Sequence, residues 1–276
     1  LGAMFGIGFI LGPVIGGLLG GIDLRLPFFL AGGLALANLA YGYFVLPESL
    51  GPAQRRPVDW WQANPLSSFK QLVALKGVGL LVGVLGFAAL AQFSLYTVWV
   101  LYGSLRFGWG PSENGWSLFA VGIVSAVVQG GLLGRLLKAF GTQRLAMAGL
   151  VSSSLAFVGW GLATQPWMMY AVIFANLLGA AVSASLQGLV SAAADERTQG
   201  QTLGAVSSLN SLAAVVAPVL AAPLMATVSH LPTSDWRIGA PMFFCAALQA
   251  AALVLAVLHF RRQARRNPPV SPQPAS

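Results

Sequence analysis

Seven carboxylates, two imidazoles and one thiol are all that this 276-residue chain offers for acid–base, nucleophilic or metal chemistry. Asp23, Glu48, Asp59, Glu113, Asp195, Glu196 and Asp235 each fall in a polar loop or at the end of an apolar run. His230 and His259 stand apart from any acid and nucleophile that would make a triad or a metal set. Cys245 is alone inside an apolar run, so there is no disulfide framework, thiol pair or cysteine metal site, and neither a metal nor a cofactor is expected. The pairs Gly16-Gly17 and Gly20-Gly21 lack the Gly-Lys-Ser/Thr of a phosphate loop, which sets nucleotide hydrolysis aside. What the apolar runs do carry is neutral hydrogen-bonding chemistry: Gln92, Tyr96, Asn176, Ser183 and Gln187. An amide in lipid must find a partner, either a neighbouring helix or a ligand, and both readings stay open for Gln92 and Asn176. Asn38, Gln129 and Asn210 read as helix–helix packing, and the serines Ser152 to Ser154 as groups that satisfy carbonyls of their own helix.

The elements that must position these groups follow from composition. Apolar residues make up 57% of the chain and charged ones 8%, with a mean hydropathy of +0.76. A water-soluble domain carries about a quarter charged residues, so the solvent here is lipid. A membrane-spanning helix needs about 20 consecutive apolar residues. Eight such runs are present, at residues 3–21, 27–46, 77–102, 116–133, 145–164, 167–190, 203–228 and 238–260. They do not alternate apolar and polar, as the strands of a membrane barrel would. The sequence therefore predicts an all-α polytopic membrane protein with eight transmembrane helices.

Positive charge orients the bundle, because cytoplasmic loops retain Lys and Arg. The net charge of +8 would suggest nucleic acid in a soluble protein; here it is a loop signal, and no nucleic-acid partner is expected. Twelve of the fifteen basic residues fall in the connections after the second, fourth, sixth and eighth runs. Only Arg25, Arg106 and Arg237 fall on the other side. Both chain ends are thus expected in the cytoplasm of a multi-pass inner-membrane protein. The longest polar stretch, 48–76, holds three prolines with Arg55 and Arg56, directly after Pro47, and reads as an interdomain linker. It divides residues 1–47, with two spans, from 77–260, with six; residues 261–276 form a basic, Pro-rich tail.

The narrowest pattern lies in the first run, where Gly8, Gly12, Pro13, Gly16 and Gly17 follow one another at helical spacing. Glycines four apart share a helix face and let two backbones approach, while Pro13 removes one backbone hydrogen bond. This pattern resembles the antiporter motif in the fifth helix of the major facilitator superfamily. Residues 28–49, FFLAGGLALANLAYGYFVLPES, resemble the sixth helix and following Pro-Glu-Ser of the tetracycline-resistance, drug:proton antiporter branch. Residues 186–218, with Asp195-Glu196-Arg197, resemble its tenth and eleventh helices. Gly134, Arg135 and Arg144 look like a degenerate copy of the superfamily's cytoplasmic loop motif.

The resemblance implies that the eight runs are helices five to twelve, an N-terminally truncated chain that opens at Leu1 inside an apolar stretch. It implies proton-coupled efflux of a lipophilic drug or metabolite without covalent chemistry, by two half-bundles rocking about a midplane site. The third and sixth runs would then line the cavity with Gln92, Tyr96, Asn176, Ser183 and Gln187, and the coupling acids would lie in the first half. Tetracycline pumps keep an aspartate in the ninth helix where Ser153 stands here, which puts tetracycline in doubt as the cargo. The rival readings are a proton-coupled nutrient importer of the same fold, and a non-transporting subunit or inactive fragment. Small molecules, protons and the bilayer are the expected partners, and the oligomeric state stays open.

Overall fold

A computed structural model of the chain describes residues 2–45, 79–192 and 199–266. The linker 48–76, the triplet Asp195-Glu196-Arg197 and the end of the basic tail lie outside the described residues. The chain is helical throughout the rest. In order, the helices are α1 (Gly2–Ile22), α2 (Leu26–Val45), α3 (Gly79–Phe107), α4 (Pro111–Val127), α5 (Leu133–Phe140), α6 (Thr142–Leu162), α7 (Pro166–Ala175), α8 (Val182–Ala192), α9 (Gln199–Val228) and α10 (Ala240–Arg266).

Each of the eight apolar runs coincides with one of these helices or with a joined pair. Among the described residues six helices are long and apolar enough to cross a membrane, and the bent pair α7–α8 supplies a seventh span. α1, Gly2–Ile22, is a further apolar helix of 21 residues. Two spans depart from simple rods. α4 starts at Pro111, ahead of the apolar run, and passes through a π-turn, Val128–Leu132, into the short α5. Lys138 and Arg135 therefore sit on helix rather than loop. The run 167–190 is broken after Ala175, and the two pieces meet at 54°.

Three kinds of residue set these boundaries. Prolines at the first turn open α4 and α7, where their missing N–H costs nothing. Gly108 and Gly141, with φ of 69° and 75°, turn the chain between α3 and α4 and between α5 and α6 in a conformation other residues resist. Glu113 reaches back to the Gly110 N–H at 2.8 Å and closes the start of α4.

α3 forms the spine, with α9 and α10 packed along it. α6 lies against α10 and α8, and α4 lies between α7 and α1. One cluster of buried residues gathers Trp99, Tyr102, Phe157, Trp160, Met169 and Met242; a second, at the other end of α3, gathers Leu81, Val84, Leu150, Leu186 and Val206.

One end of the bundle is fastened by an arginine. The Arg106 side chain, 6% exposed at the last turn of α3, donates from Nε to the Ala163 carbonyl at 3.0 Å. Its NH1 donates to the carbonyls of Thr233 and of Asp235, the latter at 2.7 Å. The loop's own carboxylate is engaged elsewhere: Asp235 accepts from Arg237 at 2.7 Å, and those hydrogen bonds hold its carboxyl below the usual range. At the opposite end Gln143, opening α6, donates to Gln263 near the end of α10 at 3.3 Å. That contact brings the first turn of α6, which holds Arg144, beside the basic end of α10.

Candidate functional site

A cavity of about 370 Å³ lies among α3, α4, α6 and the α7–α8 pair, with α9 and α10 each contributing an amide. Gln92 and Tyr96 are one turn apart on α3 and share a face; both are exposed on the cavity side, Tyr96 at 50%. Ser183 and Gln187 are likewise one turn apart on α8, and the Gln187 amide donates to the Ser183 hydroxyl at 3.2 Å. Asn176 sits at the end of α7, where the chain breaks. All five residues expected from the sequence line this one cavity.

The break is built by α6 as much as by α7. The Ser152 hydroxyl donates to the Asn176 side-chain oxygen at 2.8 Å. A Cβ at Gly179 would collide with that amide and come within 2.5 Å of the Ser153 hydroxyl, so any side chain there would displace both polar groups. Gly149, one turn earlier on α6, lets the Leu178 carbonyl approach to where a Cβ would be 2.7 Å away. The serine patch is thus divided. Ser154 donates to the Leu150 carbonyl at 2.8 Å, as expected of a helix serine, whereas Ser152 holds Asn176 and Ser153 lines the cavity.

An aromatic wall faces these amides. Trp99 and Trp160 meet edge to face with centroids 5.1 Å apart, and Phe157 stands 5.8 Å from Trp160. The indoles are fixed by their N–H groups: Trp99 donates to the Ser117 hydroxyl at 2.9 Å and Trp160 to the Met169 carbonyl at 3.2 Å. Phe93 and Tyr96 add a second edge-to-face pair, with centroids 6.1 Å apart. Tyr102 is fully buried behind the wall, its hydroxyl donating to the Trp160 carbonyl at 2.7 Å. Trp99, Phe157 and Trp160 are each under 5% exposed, so this wall is rigid packed core that meets the cavity only at its margin.

Several lining residues differ from expectation. Gln129 and Asn210, read from sequence as packing residues, line the cavity, and Gln249 on α10 joins them. The signal that singled out Gln92, an amide in mid-span, was present at Gln249 too. Ser153, read from sequence as satisfying a carbonyl of its own helix, lines the cavity as a hydroxyl.

The glycine motif of α1 divides along its length. At Gly17 a Cβ would lie 2.8 Å from the Gly115 Cα and 2.8 Å from the Pro111 carbonyl, so α1 and α4 touch backbone to backbone. The Pro13 carbonyl stands equally close to Gly115, 2.7 Å from where its Cβ would be. Gly8, Gly12 and Gly16 meet nothing within 4 Å and lie on the open side of α1. Gly134, Arg135 and Arg144 are exposed around the α5–α6 turn, away from the cavity.

Comparison with known proteins fits this architecture. The family model described as Major Facilitator Superfamily matches residues 1–218 and again 86–276. Over 244 residues the chain is 32% identical to the class C tetracycline resistance protein of Escherichia coli and 33% identical to the class D protein of Salmonella ordonez, covering 88% of this chain in each case. It is 27% identical over 225 residues to the hippocampus abundant transcript 1 protein of Mus musculus, covering 79% of this chain and 46% of that relative. The chain spans 61% of the length of both tetracycline resistance proteins. Matches that run through α1, the bent α7–α8 span and α10 alike leave one conclusion about descent: this multi-pass membrane chain belongs to the Major Facilitator Superfamily.

Proposed function

We propose that the complete protein is a secondary active transporter of the inner membrane that exports a lipophilic drug or metabolite in exchange for protons. The observation that carries this reading is the cavity, where Gln92, Tyr96, Asn176, Ser183 and Gln187 converge opposite a fixed aromatic wall. Such a site binds and orients, and it contains no nucleophile–base pair that would transform what it binds. Kinship with proteins named for tetracycline resistance supports export over import.

On this reading residues 1–47 belong to one half-bundle and 77–260 form the other, joined by 48–76. Small contact residues on α1 and α4 limit leak between the halves. Gly134, Arg135 and Arg144, together with the basic end of α10 and the tail 261–276, face the cytoplasm, as do both ends of the chain. The Gln143–Gln263 contact supports that placement, since it sets two basic segments at one end of the bundle. Among the described residues no carboxylate or imidazole lines the cavity, and this reading puts the coupling protons on groups elsewhere in the complete protein.

Everted vesicles carrying the complete protein test the direction of flux. A proton gradient, acid inside, is expected to drive accumulation of a lipophilic dye, and a protonophore is expected to abolish it. Accumulation only in right-side-out vesicles would establish the importer instead.

A further inference from the structure

The two ends of the bundle carry their charge differently. At the end fastened by Arg106, the described bases Arg25, Arg106 and Arg237 are matched by the acids Asp23, Glu113 and Asp235. Charge there is used inside the protein: Arg237 pairs with the Asp235 carboxylate, and Arg106 is spent on backbone carbonyls. At the opposite end Arg135 and Lys138 on α5, Arg144 on α6, and Arg261, Arg262 and Arg265 on α10 are all exposed. Among the described residues no acid stands beside them. Over the whole sequence, the connections on this side hold twelve bases against Glu48, Asp59, Asp195 and Glu196. Retention of Lys and Arg on one side of a membrane accounts for their sign. Their convergence from three helices has a separate cause: the turn at Gly141 joins α5 to α6, and α6 packs along α10 as far as the Gln143–Gln263 contact.

These groups stand at headgroup depth. Pro111 to Phe140 is one span of 30 residues, about 45 Å at 1.5 Å per residue, and a bilayer with its headgroup layers is about 40–45 Å thick. Lys138 and Phe140 therefore reach the polar layer at the far face. Phe140 is 54% exposed there, although Leu133, Leu136 and Leu137 of the same helix pack on a buried cluster. With Leu189 of α8 and Arg144 it lines an open groove of about 380 Å³, so apolar surface lies directly beside a guanidinium. A ring and a long cationic side chain share this depth when the ring takes the acyl boundary and the cation takes the phosphate layer.

We infer that this corner binds an anionic glycerophospholipid from the leaflet at its end of the bundle. Phe140 and Leu189 take the glycerol and upper acyl carbons, and Arg144 takes the phosphodiester. Lys138 and the arginines of α10 surround it with further positive charge. Arginine suits the phosphodiester because its planar fork donates two parallel hydrogen bonds to phosphate oxygens. A zwitterionic headgroup meets the same groove less well, since the surrounding cations repel its ammonium.

The test is native mass spectrometry of the complete protein in detergent, titrated with phosphatidylglycerol or with phosphatidylcholine of the same chains. Phosphatidylglycerol is expected to bind about tenfold more tightly. Arg144→Gln combined with Lys138→Gln should weaken it about tenfold and leave phosphatidylcholine within about twofold, because each base near an anionic headgroup contributes severalfold to affinity. Arg261→Gln combined with Arg265→Gln gives an independent reading from α10 if the first pair does not fold. Arg25→Gln, at the opposite end, is the control and should leave both affinities within about twofold. Equal affinity for the two lipids, or both paired variants keeping phosphatidylglycerol affinity within about twofold, overturns the inference. So does an Arg25→Gln effect as large as that of either pair, which would make the attraction a matter of total charge. Displacement of phosphatidylglycerol by excess inorganic phosphate would assign the patch to a soluble anion and exclude a lipid site.

Discussion

α2 runs for twenty residues without burying one of them, whereas the ten residues of α7 already bury Met169 and Ile173. Both helices are strongly apolar. The contrast separates two regions: the α1–α2 pair, which meets the rest through α4, and the six-span body from α3 to α10, which packs around its own two clusters. In water the exposed Phe28, Phe29, Tyr43 and Phe44 of α2 would be an aggregation surface. In lipid that exposure costs nothing, so hydropathy marks a span without choosing its neighbours. The choice falls to small residues that let backbones touch. α1 is held by such a point at Gly17 and Gly115; the body is held by extensive packing and by hydrogen bonds at its ends.

The contact at Gly115 is where the distinction is easiest to break. Gly115→Leu pushes side-chain atoms into the Pro13 carbonyl and Gly17 Cα, both fixed backbone, and is expected to cost about 3 kcal/mol or more and to detach α1. Gly12→Leu is the control, because that position is open. It should leave the thermal midpoint in detergent unchanged while abolishing export if the open face of α1 packs against other helices of the complete protein. A midpoint lowered equally by both variants would erase the division of α1 into a packed and an open face.

Inside the body the largest single effect is expected at Arg106. Arg106→Leu removes a guanidinium that gathers carbonyls from the end of α6 and the loop before α10. The orphaned carbonyls should cost about 2 kcal/mol, read as a lowered unfolding midpoint. An unaltered midpoint would mean that packing alone holds this end together and that the body owes nothing to its buried cation.

Much of this arrangement was legible in the sequence. Run length suffices for the spans, since lipid demands it, and the amides at 92, 176 and 187 announce themselves because a polar group in an apolar run needs a reason. Other features were hidden for physical causes. The break after Ala175 lies within a continuously apolar stretch; it depends on Ser152 and Gly179, and no hydropathy window registers either. The π-turn leaves no mark on composition. Arg106 reads as a loop charge because it follows an apolar run, yet the helix extends one turn farther and buries it. Gly115, a lone glycine in Glu-Asn-Gly-Trp, gains meaning only from the glycines of α1.

The three consecutive serines on α6 give the finest measure of how far such reading can go. Their sequence context is almost identical, and backbone satisfaction is the expectation for all of them. Only Ser154 makes that bond alone, so Ser154→Ala should change stability by less than about 0.5 kcal/mol. Ser152 donates instead to Asn176, across to the broken span; Ser152→Ala should cost about 1 kcal/mol and loosen Asn176. The ratio of the two effects matters more than either value. If Ser152→Ala proves as silent as Ser154→Ala, the break is held by α7 and α8 themselves, and α6 has no part in shaping that wall of the cavity.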